Sequence, residues 1–293
     1  MDNLVDFFCL GAQKAGTTTL HNLLSSQNII LPKGKETKYF HDDSKYRMGH
    51  NFYHSQFKFT EKPQIAGEVD PEYLYSEKAI SRIAQYNPEA KLIVMLRCPL
   101  KRAMSHYQMS VRRGFEKRSF LDALKMEKST ICKSEWHNNH FSYLSRGMYF
   151  TQLERVEEYF PREQVKLIIF EDFINNYNEE IVSVCRWLGQ KDIFSVEFEA
   201  ANRFRVPRSK YISEFLHTDF LIKRYLKKVG IINKIGTKSA AYIRESNLRE
   251  PLELEVNKKN RQTFLARDYA SEVLAIDCKN LREKYSLDLN QWS

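Results

Sequence analysis

With 293 residues, 42% of them hydrophobic and 13% aromatic, the chain can bury one sizeable core, and a single domain over 1–293 with loop insertions is expected. A formal net charge of +9 favours an anionic partner such as a nucleotide, a phosphorylated cofactor, nucleic acid or an acidic polymer, without choosing among them. The five cysteines are odd in number, far apart and never at C-x-x-C spacing, which argues against a zinc or redox site and for reduced packing thiols.

Short apolar runs alternate with helical patterns, the signature of βαβ units and a largely parallel sheet. Leu4 to Leu10 reads as the first strand, with no basic leader before it. No apolar run is long enough to span a bilayer, and the expectation is a cytoplasmic protein without a membrane span. A Gly-containing loop follows, then a helix over Thr17 to Ser26 with Leu20, Leu23 and Leu24 on one face. Further strands are expected at Ile65 to Val69, at Lys91 to Leu96 and, after a helix around Thr151 to Tyr159, at Val165 to Phe170. The polar stretch from Gly114 to Arg146 reads as an inserted, partly helical segment over a site. From Leu252 to about Tyr285 a long helix is expected, with Phe264, Leu265, Val273, Leu274, Ile276 and Leu281 available for burial. The fold class is therefore α/β, a P-loop-type three-layer fold with a central parallel sheet flanked by helices.

The chemistry concentrates in Gly11-Ala12-Gln13-Lys14-Ala15-Gly16-Thr17-Thr18-Thr19, between a strand and a helix. There, successive backbone N–H groups and the helix dipole make a phosphate cradle. The two glycines keep the spacing of the nucleoside-triphosphatase loop, but Thr17 stands where its lysine belongs and the lysine has moved to Lys14. A kinase needs that lysine and a metal-holding acid, whereas the strand expected alongside ends in Arg97. A donor with one 5′-phosphate bonded to a sulfuryl group demands less positive charge, and one lysine with hydroxyls and amides suffices without metal.

Four segments resemble the sulfotransferases that use 3′-phosphoadenosine 5′-phosphosulfate (PAPS), particularly the branch of heparan sulfate sulfotransferases and their bacterial relatives. The loop is similar to the family's 5′-phosphosulfate loop, which implies that Lys14 contacts the sulfuryl group and bridging oxygen, while Ala15, Gly16, Thr17, Thr18 and Thr19 line the 5′-phosphate site. Leu96-Arg97-Cys98-Pro99 through Ser105-His106-Tyr107 resembles the 3′-phosphate motif, implying that Arg97 and Ser105 bind that group, although the family usually has Asp or Asn where Cys98 stands. Lys35-Glu36-Thr37-Lys38-Tyr39-Phe40 resembles the segment that carries the general base, so Glu36 inherits that role; read alone, it is one charge among Lys33, Lys35 and Lys38. Gly67-Glu68-Val69-Asp70-Pro71-Glu72-Tyr73-Leu74 resembles a substrate-cleft segment in which Val69 replaces a lysine. Weaker likeness continues at Arg146 to Tyr149, Phe170 to Phe173 and Asp288 to Trp292.

The resemblance implies in-line sulfuryl transfer to a hydroxyl or amine, with carbohydrate the first acceptor class and a small natural product or glycolipid the second. A nucleotide kinase and a non-enzymatic protein that binds nucleic acid or sulfated glycan remain as other classes, though neither requires Lys14, Arg97 and Ser105 in two anion-binding turns. Arg203, Arg205, Arg208, Ser209 and Lys210, within 201–210, are expected to cap nucleotide or acceptor, unless they form a solvated loop. His41 is the reserve base, and His137 and His140 lack companions at metal spacing.

Overall fold

The structure is a computed structural model that describes residues 4–60, 64–194, 206–207, 248–249 and 253–292. Four apolar runs make one parallel sheet: β1 (Phe7–Gly11), β2 (Gly67–Val69), β3 (Lys91–Leu96) and β4 (Val165–Ile169), in the order β2-β1-β3-β4. Strand β1 starts later than its apolar pattern suggests, because Leu4 is 40% exposed and the Asp6 carboxylate is already turned to the Ala66 N–H at 2.7 Å. Strand β2 is likewise shorter than Ile65 to Val69. It begins at Gly67, where a Cβ would lie 2.0 Å from the Phe7 ring, so only glycine lets the two strands close here.

Helix α1 (Thr17–Ser25) follows β1, and α2 (Asp43–Tyr46) and α3 (Gly49–His54) lead to β2. Helix α4 (Glu77–Tyr86), capped by the Ser76 hydroxyl on the Ala79 N–H, leads to β3. Helix α5 (Pro99–Arg112) leaves β3 with proline in its first turn, where a missing N–H costs nothing. The chain then forms α6 (Phe120–Lys125), α7 (Glu127–Ile131), α8 (Glu135–Phe141) and α9 (Tyr149–Glu157), and after β4 come α10 (Phe170–Asn175) and α11 (Tyr177–Leu188). Right-handed crossovers put α1 on one face of the sheet and α4 and α9 on the other. The packing agrees, since α1 lies against α11 and α4 against α9. Because the sheet is covered on both faces, β1 and the last five residues of β3 are wholly buried.

The chain divides into two compact units, the first comprising Met1–Arg102, Arg146–Phe198 and Leu274–Ser293, the second Ala103–Ser145 and Glu199–Val273. The first contains the sheet and its core. In the second, the expected insertion between Gly114 and Arg146 is indeed partly helical: buried Glu127 accepts the N–H groups of Leu144 and Ser145, and His137 is engaged with the Ser134 hydroxyl at 2.7 Å. Strands β5 (Val206–Pro207) and β6 (Leu248–Arg249) pair antiparallel.

The long terminal helix is α12 (Glu253–Tyr285), but its buried face differs from expectation. Phe264, Leu265 and Ile276 are 65%, 46% and 76% exposed, whereas Ala266, Ala270, Leu274 and Leu281 are buried. With buried Asp277 the stripe steps by four and three, and it includes two alanines, which a search for large side chains overlooks. All five cysteines are thiols, and burial pushes Cys9 up to about 12 and Cys185 to about 11, as expected of packing residues. No helix among the described residues is long and apolar enough to cross a membrane.

Candidate functional site

From β1 the chain goes to β2 on one side and then returns to β3 on the other, so the carboxyl ends of β1 and β3 form a switch point where α/β sheets bind ligands. The 11–19 loop lies there. The Ala12 N–H bonds to the Met95 carbonyl at 2.8 Å, and the Ala15 N–H closes back on the Ala12 carbonyl at 3.0 Å. Lys14 and Gly16 both take positive φ, 71° and 88°. That conformation is strained for lysine and marks a loop held by its surroundings. The N–H groups of Gly16, Thr17 and Thr18 meet no acceptor among the described residues, and they stand at the positive end of α1. A Cβ on Gly16 would come within 2.5 Å of the Phe170 ring, so the backbone passes that ring as closely as glycine allows. The cradle fits an anionic phosphate.

Arg97, at the end of β3, donates through Nη1 to the Lys14 carbonyl at 3.0 Å, and its guanidinium lies 4.6 Å over the Phe170 ring. Its buried Nε has no hydrogen-bond partner among the described residues, a donor suited to an anion. Fully buried Arg102 reaches the preceding carbonyl, that of Gln13, at 3.4 Å. Ser105 is partly exposed further along α5, in the portion that belongs to the second unit.

Three weakly matching segments converge behind Arg97. The Tyr149 hydroxyl donates to the Arg97 carbonyl at 2.9 Å, and Glu171 accepts the Cys98 N–H at 3.2 Å and the Trp292 indole N–H at 3.3 Å. Cys98, standing where Asp or Asn is usual, turns its thiol to the Trp292 carbonyl at 3.7 Å.

The Glu36 segment is tied to the end of β2. Glu68 accepts the Thr37 N–H at 2.9 Å and the hydroxyls of Tyr53 and Tyr73 at 2.8 and 3.2 Å, while Asp70 accepts the Lys38 N–H at 3.0 Å. Burial, followed by the charges of Glu68 and Glu36, pushes the Asp70 carboxyl well above the ordinary carboxylate range. Glu36 itself is paired with Lys35 at 2.7 Å and keeps 31% of its side chain exposed. Burial lowers His41 below its ordinary value, more than the Glu72 carboxylate beside it offsets.

Gln13, Glu72, Arg102 and Phe170 lie within segments that the sequence matches, but sequence reasoning gives none of them a role of its own. Glu72 accepts from Gln13 Nε2 at 2.6 Å and from Arg146 Nη2 at 2.7 Å, a bridge across residues 59 and 74 positions away that no local pattern signals. The proposed cap residues Arg203, Arg205, Arg208, Ser209 and Lys210 lie outside the described residues.

A sulfotransferase domain model matches residues 4–219, most of the chain and every segment above except the terminal one. The chain belongs to the sulfotransferase family. It is 29% identical over 160 residues to heparan sulfate glucosamine 3-O-sulfotransferase 5 of Mus musculus, covering 54% of this chain and 46% of that protein. To the bifunctional heparan sulfate N-deacetylase/N-sulfotransferase 1 of Caenorhabditis briggsae it is 27% identical over 213 residues, covering 69% and 24%. The chain thus spans less than half the length of these sulfotransferase relatives. A crystal structure of a sulfotransferase from Alicyclobacillus acidocaldarius superposes with a TM-score of 0.64 at 24% identity over 98% of both chains, which establishes the shared fold.

Proposed function

We propose that this chain transfers a sulfuryl group from PAPS to a hydroxyl or amine of a carbohydrate acceptor. The observation that carries the reading is the hydrogen bond from Arg97 to the Lys14 carbonyl, which makes two anion-binding turns neighbours at the sheet's switch point. One turn offers the N–H groups of Gly16, Thr17 and Thr18, and the other offers a guanidinium fork.

When bound, the donor supplies an activated sulfur–oxygen bond whose cleavage passes the sulfuryl group to the acceptor and leaves 3′-phosphoadenosine 5′-phosphate (PAP). Lys14 and the three N–H groups hold the negative charge that collects on the departing phosphate oxygen. Arg97 and Ser105 hold the 3′-phosphate. Glu36 takes the acceptor's proton as the acceptor attacks in line, and no covalent bond to the enzyme is formed. Carbohydrate is the first acceptor class because the named relatives act on heparan sulfate. Val69 stands where the resembling cleft segment carries a lysine, which keeps a small natural product or glycolipid as the second reading.

Calorimetry is the direct test. PAP should bind with micromolar affinity, roughly −8 kcal/mol, and ATP more weakly for want of a 3′-phosphate. Tighter binding of ATP, or turnover that stops in EDTA, would replace this reading with a kinase.

A further inference from the structure

The 5′-phosphate loop is held from behind by a pair that neither phosphate motif contains. Arg146 is 2% exposed and sits in the middle of a short turn, Ser145–Gly147, far along the chain from the loop. Its Nη2 donates to Glu72 Oε2 at 2.7 Å, and Glu72 Oε1 accepts from Gln13 Nε2 at 2.6 Å. The Gln13 carbonyl meets Arg102 and the next carbonyl, that of Lys14, meets Arg97. Gln13 is thus fixed at both its side chain and its peptide, immediately before the residue that takes the strained positive φ. With those carbonyls drawn back, the following N–H groups are left for a ligand.

Placing a carboxylate beside an anion site would ordinarily weaken that site. Arg146 removes the conflict. Burial alone would raise Glu72, yet the Arg146 charge and hydrogen bond outweigh it and hold the carboxyl below its usual range, so Glu72 grips Gln13 as a neutralised half of an ion pair. The guanidinium also lies 4.5 Å over the Tyr75 ring, which further fixes its orientation.

We infer that Arg146 and Glu72 are positioning residues for the 5′-phosphate loop, acting through Gln13 rather than by touching the nucleotide. The inference rests on the donor reading of that loop and adds residues to it. It also takes Glu72 out of the acceptor-contacting set to which its cleft-like segment would assign it.

The test compares PAP with adenosine 3′-monophosphate, which lacks the 5′-phosphate. Arg146→Met strands the buried Glu72 carboxyl without its counter-charge and loosens its hold on Gln13, and should raise the PAP Kd by about tenfold or more, with the Kd of adenosine 3′-monophosphate changed less than about twofold. Adding Glu72→Gln to Arg146→Met removes the stranded carboxylate and should recover part of the PAP affinity. Should Arg146→Met fail to fold, Gln13→Met cuts the same bridge at a partly exposed position and should show the same selective loss. Equal losses for both nucleotides, or no change in either, would overturn the inference. Failure of the wild-type protein to bind PAP would instead overturn the donor reading.

Discussion

Arg97 and Lys14 are joined by a 3.0 Å hydrogen bond from the arginine Nη1 to the lysine carbonyl, so the residue assigned to the 3′-phosphate also shapes the loop assigned to the 5′-phosphate. Truncation to alanine removes a charged donor and a tie on the loop together. Arg97→Ala should therefore weaken PAP binding by about 1.5–3 kcal/mol, the range for hydrogen bonds to charged groups. Ser105→Ala, which removes one neutral hydroxyl, should lose less. Calorimetry on both variants decides it: normal binding by an Arg97→Ala protein that merely melts earlier would make Arg97 a structural residue.

Gly16 should tolerate no side chain. Its φ is 88°, and a Cβ would meet the Phe170 ring at 2.5 Å, while that ring is itself covered by the Arg97 guanidinium. Gly16→Ala should cost about 1–3 kcal/mol of stability through backbone strain and overpacking. Combining it with Phe170→Leu should recover only the share due to the ring, because the backbone strain remains. Thermal or denaturant unfolding of the three proteins reads this directly, and an unchanged midpoint for Gly16→Ala would contradict it.

Asp70 supplies a pH dependence with a definite sign. Its carboxyl is raised in the folded protein, chiefly by burial and then by Glu68 and Glu36. The folded state thus holds the proton more tightly than the unfolded chain, whose value is near 3.8. Its contribution is complete below that value and is lost as pH rises towards the folded pKa. Asp70→Asn cannot ionise, so its stability relative to wild type should improve as pH rises above about 4, even if the loss of one backbone acceptor makes it less stable at the acidic end. Parallel curves in denaturant titrations across that range would show that Asp70 does not titrate with folding.

Much of this arrangement is legible in the sequence, for identifiable reasons. Strand β3 runs over the same six residues that its apolar stretch outlines, because a strand covered on both faces needs no polar interruption. The loop after β1 is legible because glycine spacing and clustered threonines are local. By contrast, Glu68 looks like a cleft residue in sequence, yet the structure gives it to Thr37, Tyr53 and Tyr73 in a site with no exposure. Gln13, Glu72 and Arg146 meet only because three distant segments close on the same sheet edge. No periodicity or motif spacing encodes such a meeting.

Glu36 carries the sharpest catalytic prediction. The structure ties the peptide that follows it to Glu68 and Asp70 through the Thr37 and Lys38 N–H groups, so its segment is brought to the sheet edge beside β1 rather than left in a solvated turn. Its own carboxylate is paired with Lys35 and stays partly exposed, so an incoming acceptor can reach it. Glu36→Gln keeps size and hydrogen-bonding capacity while removing basicity. With an acceptor found by screening radiolabelled PAPS, kcat should fall by roughly a hundredfold to ten-thousandfold, and PAP affinity should hardly change. Lys14→Ala should also abolish turnover, but with weaker binding of the sulfated donor, because Lys14 is proposed to touch the donor itself. The two variants thereby separate proton transfer from stabilisation of the leaving group. His41, lowered by burial against the pull of Glu72, is the reserve base. Near-normal turnover by Glu36→Gln together with an inactive His41→Ala would transfer the role of base to that histidine.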